Sequence, residues 1–392
     1  MNPLLKRIAV LGSTGSIGRQ ALEIVERHGD ELSIVGLAAG ANTTLLRAQI
    51  HHFRPRFAYV DATAPHVQEF KHEMRRSGCQ FMPMEDMVTH PDVDLVLVAT
   101  VGKAGLMPTL AALRAHKPVA LANKEALVMA GEIVTAEARR NGVEILPVDS
   151  EHSAVWQSLR GEMDTVPGFL PTITRLILTA SGGAFRDRRP EELARVTPDE
   201  ALAHPTWLMG RKITVDSATL LNKGLEIIEA HWLFGVPYER IEVLIHRESI
   251  VHSMVEFVDG SVKAQMSLPD MRLPIQYALS YPRRFANDFP KLDLPNVGLL
   301  TFSPVDYVRY PLLHLAVQAG KSGGTMPAVV AAADEEAVNL FLSGQIGFLD
   351  IAQLVEKVTE AHQGLQHPTL EQILEADTWA RQRCLDFAVQ RA

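Results

Sequence analysis

Cysteine is nearly absent from this chain. Cys79 and Cys384 are the two among 392 residues, which excludes a disulfide framework and a thiolate metal cluster. No apolar run approaches the roughly 18 residues that a membrane-spanning helix needs. Excess positive charge is also missing: 38 Lys and Arg against 46 Asp and Glu leave −8 with histidine neutral. Nucleic acid is therefore not an expected partner, and neither is a membrane, although a local basic pocket stays open. The sequence has no internal repeat and no low-complexity tract. What is present is ordinary globular usage, 47% apolar and 21% charged, which argues against wholesale disorder. A chain of this length divides into about two to three domains. Its first residues run straight into Ile8-Ala-Val-Leu-Gly12 and a glycine-rich loop, so the expectation is no leader segment and a cytoplasmic location.

Residues 7–148 alternate short apolar runs with helical patterns. Strands are predicted at Arg7–Gly12, Leu32–Ala38, Phe57–Val60, Val93–Ala99, Pro118–Leu121 and Val143–Val148. Helices are predicted at Ser16–Arg27, Thr44–His52, Pro65–Arg76, Lys103–Arg114 and Glu125–Arg140. Runs such as Leu95-Val-Leu-Val98 lack alternation, as a strand covered on both faces does. Repeated strand–helix units predict an α/β fold with a parallel sheet. Beyond 150 the pattern is mixed, with a strand at Leu176–Thr179 and a hairpin, Val251–Val258 and Ser261–Leu268. Asp259-Gly260 between those runs predicts a type I′ turn, and the hairpin's free edge offers a pairing surface for another subunit. Five prolines between Pro282 and Pro311 predict a connecting segment. Residues 312–392 read as helical, including Ala328–Leu342, Ile351–His362 and Leu370–Val389.

The loop Gly12-Ser-Thr-Gly15-Ser-Ile-Gly18 follows a strand and opens a helix. Glycines let a phosphate approach the backbone, and the helix start offers N–H groups and partial positive charge. The spacing is GxxGxxG rather than GxGxxG, so a plain chain turn is the alternative. The second strand ends at Leu37-Ala-Ala-Gly-Ala-Asn42 without the carboxylate that an NAD site places near the ribose, which leans towards NADP.

Asp149-Ser150-Glu151 follows another strand end, and Glu226 and Glu229 stand at i,i+3 on one helix face. Three converging carboxylates without thiolates suit Mg²⁺ or Mn²⁺; solvated acidic caps are the alternative. Asn123-Lys124-Glu125 also follows a strand, where Lys124 can reach a substrate oxygen or simply lie exposed. Ser181-Gly-Gly183, Ser217 and Asn222-Lys223-Gly224 pool hydroxyl, amide, glycine backbone and ammonium groups that can bind a phosphate monoester; each piece alone is a common structural loop. His204-Pro-Thr-Trp207-Leu-Met209-Gly210-Arg-Lys212 reads as a mobile flap around 203–212 that excludes water, or as a packed loop with Trp207 in the core. His246 and His252 read as ordinary sheet histidines, and Cys79 has no paired-histidine motif.

These segments together closely resemble the 1-deoxy-D-xylulose 5-phosphate reductoisomerase family. The matching motifs are LGSTGSIG at 11–18, LANKEALV at 121–128, PVDSEHSA at 147–154, SGG at 181–183, HPTWLMGRKITVDSATLLNKGLEIIEA at 204–230 and PDMR at 269–272. The resemblance implies an N-terminal Rossmann-like parallel sheet binding NADPH (1–150) and a central α/β catalytic domain with the lid (151–281). It further implies the connecting segment (282–311), a C-terminal helical domain (312–392) and a homodimer. It implies dinucleotide contacts from Thr14, Gly15, Ser16, Ile17, Gly40, Ala41, Asn42, Asn123, Glu125 and Gly210. A divalent cation, Mn²⁺ or Mg²⁺ with Co²⁺ as a further candidate, falls on Asp149, Glu151 and Glu226. Substrate contacts fall on Lys124, Ser150, Glu151, Glu226 and Met271, with Ser181, Ser217, Asn222 and Lys223 around the phosphate and His204 and Trp207 closing over it.

The implied activity is isomerisation and NADPH-dependent reduction of a phosphorylated ketose, 1-deoxy-D-xylulose 5-phosphate, to 2-C-methyl-D-erythritol 4-phosphate, in the non-mevalonate route to isoprenoid precursors. Two other readings stand beside it: another NADP-linked dehydrogenase with structural carboxylates, and a catalytically silent NADPH-binding regulator. Three departures from the family pattern are Ala41 in place of a frequent Lys or Arg, His-Arg-Glu-Ser at 246–249, and Ala-Asp-Glu at 333–335.

Overall fold

The computed structural model describes residues 5–76, 78–162 and 172–390. The parts of the expected segments at 1–4, 77, 163–171 and 391–392 lie outside the described residues. The chain divides into two compact units. The first comprises 1–126, 132–150 and 271–288; the second comprises 127–131, 151–270 and 289–392.

In the first unit, seven strands form one sheet: β1 (Lys6–Leu11), β2 (Leu32–Ala39), β3 (Phe57–Val60), β4 (Gln80–Phe81), β5 (Leu95–Val98), β6 (Val119–Leu121) and β7 (Ile145–Pro147). Their order is β4-β3-β2-β1-β5-β6-β7, and each neighbouring pair is parallel. β5 is buried at all four positions, which explains its unbroken apolar run: helices cover both faces. The strand order reverses direction between β1 and β5, the switch point at which open α/β sheets take ligands. The helix Ser16–Arg27 has its predicted bounds and buries Ala21, Leu22, Ile24 and Val25. β4 and the helix Met84–Thr89 were not predicted, being too short to show a period.

Residues 271–288, which the sequence reading divided between the end of the central segment (to 281) and the connecting segment, pack in the first unit. The helix Arg272–Ser280 lies against Ser16–Arg27, β6 and β7, tied by Arg272 Nη1 to Glu23 Oε1 at 3.1 Å.

The second unit holds a mixed sheet of β8 (Ile173–Ala180), β9 (Ile241–Ile245), β10 (Val251–Phe257), β11 (Val262–Met266) and β12 (Ser303–Pro304). Its order is β11-β10-β8-β9-β12. β8 and β9 run parallel, and the remaining pairs are antiparallel. The hairpin forms as predicted, but its turn does not. Only Gly260 of the Asp259-Gly260 pair has positive φ (+83°). The bonds Phe257 N–H to Ser261 O (2.9 Å) and Gly260 N–H to Phe257 O (3.0 Å) make a three-residue loop with a glycine bulge. Asp259 Oδ1 accepts from the Ser261 amide and hydroxyl, which stabilises the looser turn.

The proline-rich segment is more than a connection. It contains the helix Leu294–Val297 and the edge strand β12, where Pro304 costs no ladder bond on its outer side. The C-terminal helices Pro311–Ser322, Met326–Leu342, Phe348–Glu360 and Leu370–Val389 share one core with the helix Leu221–Phe234. Leu221, Leu225, Ile228, Ala316, Val329, Phe341, Leu354 and Cys384 belong to the same buried cluster. Among the described residues, no helix is long and apolar enough to cross a membrane.

Candidate active site

Every candidate residue of the first unit outside the 271–288 segment follows a strand's carboxyl end. Thr14, Gly15, Ser16 and Ile17 follow β1, with Gly15 as N-cap of the helix Ser16–Arg27. The loop is drawn in tightly: a Cβ on Gly18 would stand 2.3 Å from Gly12 O, so only glycine fits. Ser13 Oγ donates to Gln49 Oε1 (2.8 Å), and Gln49 Nε2 donates to Ser13 O (2.9 Å), which fixes the loop from outside. Gly40, Ala41 and Asn42 follow β2 and are exposed. Asn42 caps the next helix, accepting from Leu45 N–H at 3.0 Å.

Asn123, Lys124 and Glu125 follow β6. Asn123 is buried and its Nδ2 donates to Thr100 O and Gly102 O, both at 2.8 Å, while Oδ1 accepts from Ala126 N–H. Its side chain therefore braces the neighbouring loop. Glu125 opens the helix Glu125–Asn141. Lys124 Nζ lies 2.6 Å from Asp149 Oδ2, with both side chains largely buried. Asp149 Oδ1 accepts from the Ser150 amide at 2.9 Å, at the start of the helix Ser150–Leu159. Met271 is the N-cap of the helix Arg272–Ser280.

In the second unit, the helices Arg211–Thr219 and Leu221–Phe234 meet at Leu220, whose φ is +57°. This joint sets Ser217 on one side and Asn222, Lys223 and Glu226 on the other. Lys223 Nζ donates to Glu151 Oε1 at 2.7 Å and to Glu226 Oε2, and Asn222 Nδ2 donates to Glu226 Oε1. Asn222 and Lys223, expected around phosphate, and Glu151 and Glu226, expected around metal, thus form one hydrogen-bonded cluster. Burial opposes the Lys223 charge, but Glu151 and Glu226 outweigh it and hold its pKa above the ordinary lysine value.

Sequence reading missed His152. It is fully buried, its Nε2–H donates to Glu226 O at 2.8 Å, and its Nδ1 lies 3.6 Å from Glu229 Oε2. Its place in the PVDSEHSA motif was the available signal.

Ser181 follows β8, and the loop after it is tight: a Cβ on Gly183 would stand 2.4 Å from Ser217 O, so the two candidate phosphate hydroxyls belong to adjoining backbone. Ser181 Oγ lies 2.9 Å from His204 Nε2. His204 Nδ1 accepts from the amides of Thr206 (3.1 Å) and Trp207 (2.9 Å). Burial, then the Arg186 charge, push the His204 pKa down to about 4. Residues 203–210 contain no helix or strand; Trp207 is half-buried and Leu208 is 98% exposed, so the segment is not core. Gly210 is exposed and caps the helix Arg211–Thr219. His246 and His252 are held separately, by Thr301 O and Ser267 Oγ, both at 2.8 Å.

A glycine-rich loop at the switch point of a parallel sheet, in one chain with a buried Glu–Lys–Glu cluster and a Ser-Gly-Gly loop, defines the class: a nucleotide-linked oxidoreductase of small charged substrates. Family models agree. Residues 8–131 match 1-deoxy-D-xylulose 5-phosphate reductoisomerase, 145–234 match its C-terminal domain, and 266–383 match the DXP reductoisomerase C-terminal domain. The 1-deoxy-D-xylulose 5-phosphate reductoisomerase of Heliobacterium modesticaldum is 51% identical, over 99% of this chain and 98% of its own. A solved reductoisomerase from Zymomonas mobilis in complex with NADPH is 39% identical, covers 98% of this chain and 99% of its own, and has a TM-score of 0.88. Another, in complex with NADPH, fosmidomycin and magnesium, is 36% identical over 98% of both chains with a TM-score of 0.91. The chain belongs to the 1-deoxy-D-xylulose 5-phosphate reductoisomerase family.

Proposed function

We propose that this chain converts 1-deoxy-D-xylulose 5-phosphate to 2-C-methyl-D-erythritol 4-phosphate with NADPH and one divalent cation, a step towards isoprenoid precursors. The observation that carries this reading is the Glu151–Lys223–Glu226 cluster, in a chain similar to reductoisomerases along nearly its whole length.

The residues fit both groups. The buried Glu226 and the partly buried Glu151 already converge on a positive charge, and an all-oxygen donor set suits a hard cation. Asp149 stands two residues before Glu151 in the chain, so Asp149, Glu151 and Glu226 are assigned as the ligands. The loop at Gly12–Gly18, drawn in so closely that only glycine fits at 18, opens the helix Ser16–Arg27, whose N-terminal end suits a dinucleotide phosphate, with Thr14, Gly15, Ser16, Ile17, Gly40, Ala41, Asn42, Glu125 and Gly210 assigned to that cofactor. Asn123 acts by bracing the loop after β5.

When bound, the cation supplies Lewis-acid stabilisation of charge developing on substrate oxygens, and NADPH supplies the hydride. The chain's own groups do the rest. Ser181, Ser217, Asn222 and Lys223 hold the phosphate, turning remote binding into orientation at the reacting carbons. Lys124, with Ser150 and Met271, contacts the sugar portion, and its ammonium neutralises Asp149. His204 and Trp207 fold over the ligand and exclude water. The roles given to the segments 1–150, 151–281, 282–311 and 312–392, a homodimer and a cytoplasmic location belong to the same proposal.

The test is incubation with 1-deoxy-D-xylulose 5-phosphate, NADPH and Mn²⁺ or Mg²⁺. One NADPH oxidised per 2-C-methyl-D-erythritol 4-phosphate formed, abolished by chelator, is expected. No turnover with either ion overturns the reading, and turnover that persists in chelator overturns the metal's role.

A further inference from the structure

The phosphate end contains a charge that the functional reading does not use. Arg186, largely buried, donates from Nη1 to Ser181 O at 2.9 Å and to Arg247 O at 3.0 Å. We propose that Arg186 is a positioning residue: by fixing the Ser181 loop, it leaves the Ser181 hydroxyl one role, that of donor to an acceptor-only anion such as a phosphate dianion. The proposal rests on the assignment of Ser181 to the phosphate site.

A ring nitrogen that accepts two backbone N–H groups carries no hydrogen, so His204, bonded this way at Nδ1, keeps its single proton on Nε2. That N–H points at Ser181 Oγ. Gly183 N–H also donates to Ser181 Oγ, at 3.2 Å. A hydroxyl has two acceptor lone pairs and one hydrogen. Both lone pairs are taken, so the hydroxyl hydrogen is what Ser181 has to offer. A dianionic phosphate presents only acceptors and matches it; the P–OH hydrogen of a protonated ester finds no lone pair there, so such an ester must turn one of its remaining oxygens to the site.

Arg186 protects this arrangement twice. Its fork ties Ser181 O to the turn after β9, so the loop cannot swing Oγ away from His204. Its charge, after burial, opposes a second proton on His204; an imidazolium would present N–H to the Thr206 and Trp207 amides and break the start of the lid. The groups facing Arg186 are Arg247, Asp187, Glu248 and Tyr310. Asp187 is engaged by Arg247 Nη2 through both oxygens, at 2.7 and 2.6 Å, which holds the counter-charge on the Arg247 side.

Two variants test this. Arg186→Gln removes charge and fork; Arg186→Lys keeps the charge. With Arg186→Gln, KM for 1-deoxy-D-xylulose 5-phosphate should rise about tenfold or more while kcat falls less than threefold, the pattern of lost uniform binding. NADPH affinity should stay within about twofold. In ¹⁵N-histidine NMR, His204 should be the Nε2–H tautomer, and its pKa should rise in Arg186→Gln and return towards the native value in Arg186→Lys. An Nδ1–H tautomer in the native protein overturns the proposal, as does an unchanged KM, or an equal loss of KM and NADPH affinity. Should Arg186→Gln fail to fold, the native tautomer and Arg186→Lys decide it. The NMR readout needs no turnover, so failure of the assigned reaction and failure of this proposal are separable.

Discussion

Lys223 Nζ stands 2.7 Å from Glu151 Oε1, inside the second unit. The same ammonium donates to Glu226, so one buried cation serves two carboxylates. Taking away one partner of such a group leaves uncompensated buried charge, at a cost of about 3–5 kcal/mol. Lys223→Met should therefore lower the thermal midpoint sharply in chelator, and Mg²⁺ or Mn²⁺ should recover more of it than the same ion adds to the native protein. Calorimetry with and without ion is the check. An ion response no larger in the variant would mean that these carboxylates do not meet the cation.

Gly18→Ala probes the dinucleotide loop. The added methyl would meet Gly12 O at 2.3 Å, so the loop must open. NADPH affinity should fall about tenfold or more, equal to roughly 1.4 kcal/mol, read by nicotinamide fluorescence titration. Unchanged affinity would place the cofactor elsewhere.

Ala41 is exposed after β2, with no cationic side chain at that position to meet a 2′-phosphate. Ala41→Arg should raise the preference for NADPH over NADH about fivefold or more, since a charge-assisted contact is worth about 1.5–3 kcal/mol when well formed and less when exposed. Ratios of kcat/KM for the two cofactors decide it; an unchanged ratio removes Ala41 from the cofactor site.

Much of this was legible in the sequence. The unbroken apolar run of β5 and the loop at Gly12–Gly18 announced a parallel sheet and its ligand end, because burial on both faces and close backbone approach leave direct marks on residue choice. The Glu226 helix face was visible as i,i+3 spacing. Three things were not. The type I′ turn failed because Asp259 found a side-chain bond to Ser261 that a tight turn would forgo. Residues 271–281 left the central segment, and 282–288 the connecting one, because the partners of the Arg272–Ser280 helix, such as Glu23, are far away in sequence. His152 and Arg186 went unnoticed because each acts through backbone carbonyls, and a carbonyl partner leaves no residue signature.

The departure at 333–335 also acquires a consequence. Asp334 is fully buried, and Lys212 Nζ lies 2.7 Å from both Asp334 Oδ2 and Asp216 Oδ2. Burial raises the Asp334 pKa, with Lys212 and Asp216 pulling the other way. A raised carboxyl pKa means that the native state holds a proton the unfolded chain has released, so stability falls as pH rises from about 3.9 towards the raised value. The native protein should therefore lose stability relative to Asp334→Asn as pH rises above about 4. Denaturant midpoints across that range check it. A stability difference between the two proteins that ignores pH would contradict this reading.

Whether Asp149, Glu151 and Glu226 hold one hard cation is read without any turnover by Mn²⁺ binding followed by electron paramagnetic resonance. The native chain should bind one ion per chain at this site, and Asp149→Asn, Glu151→Gln and Glu226→Gln should each weaken it about tenfold or more, as loss of a charged ligand does, while NADPH binding stays intact. Native affinity in any one of the three variants would contradict the shared site.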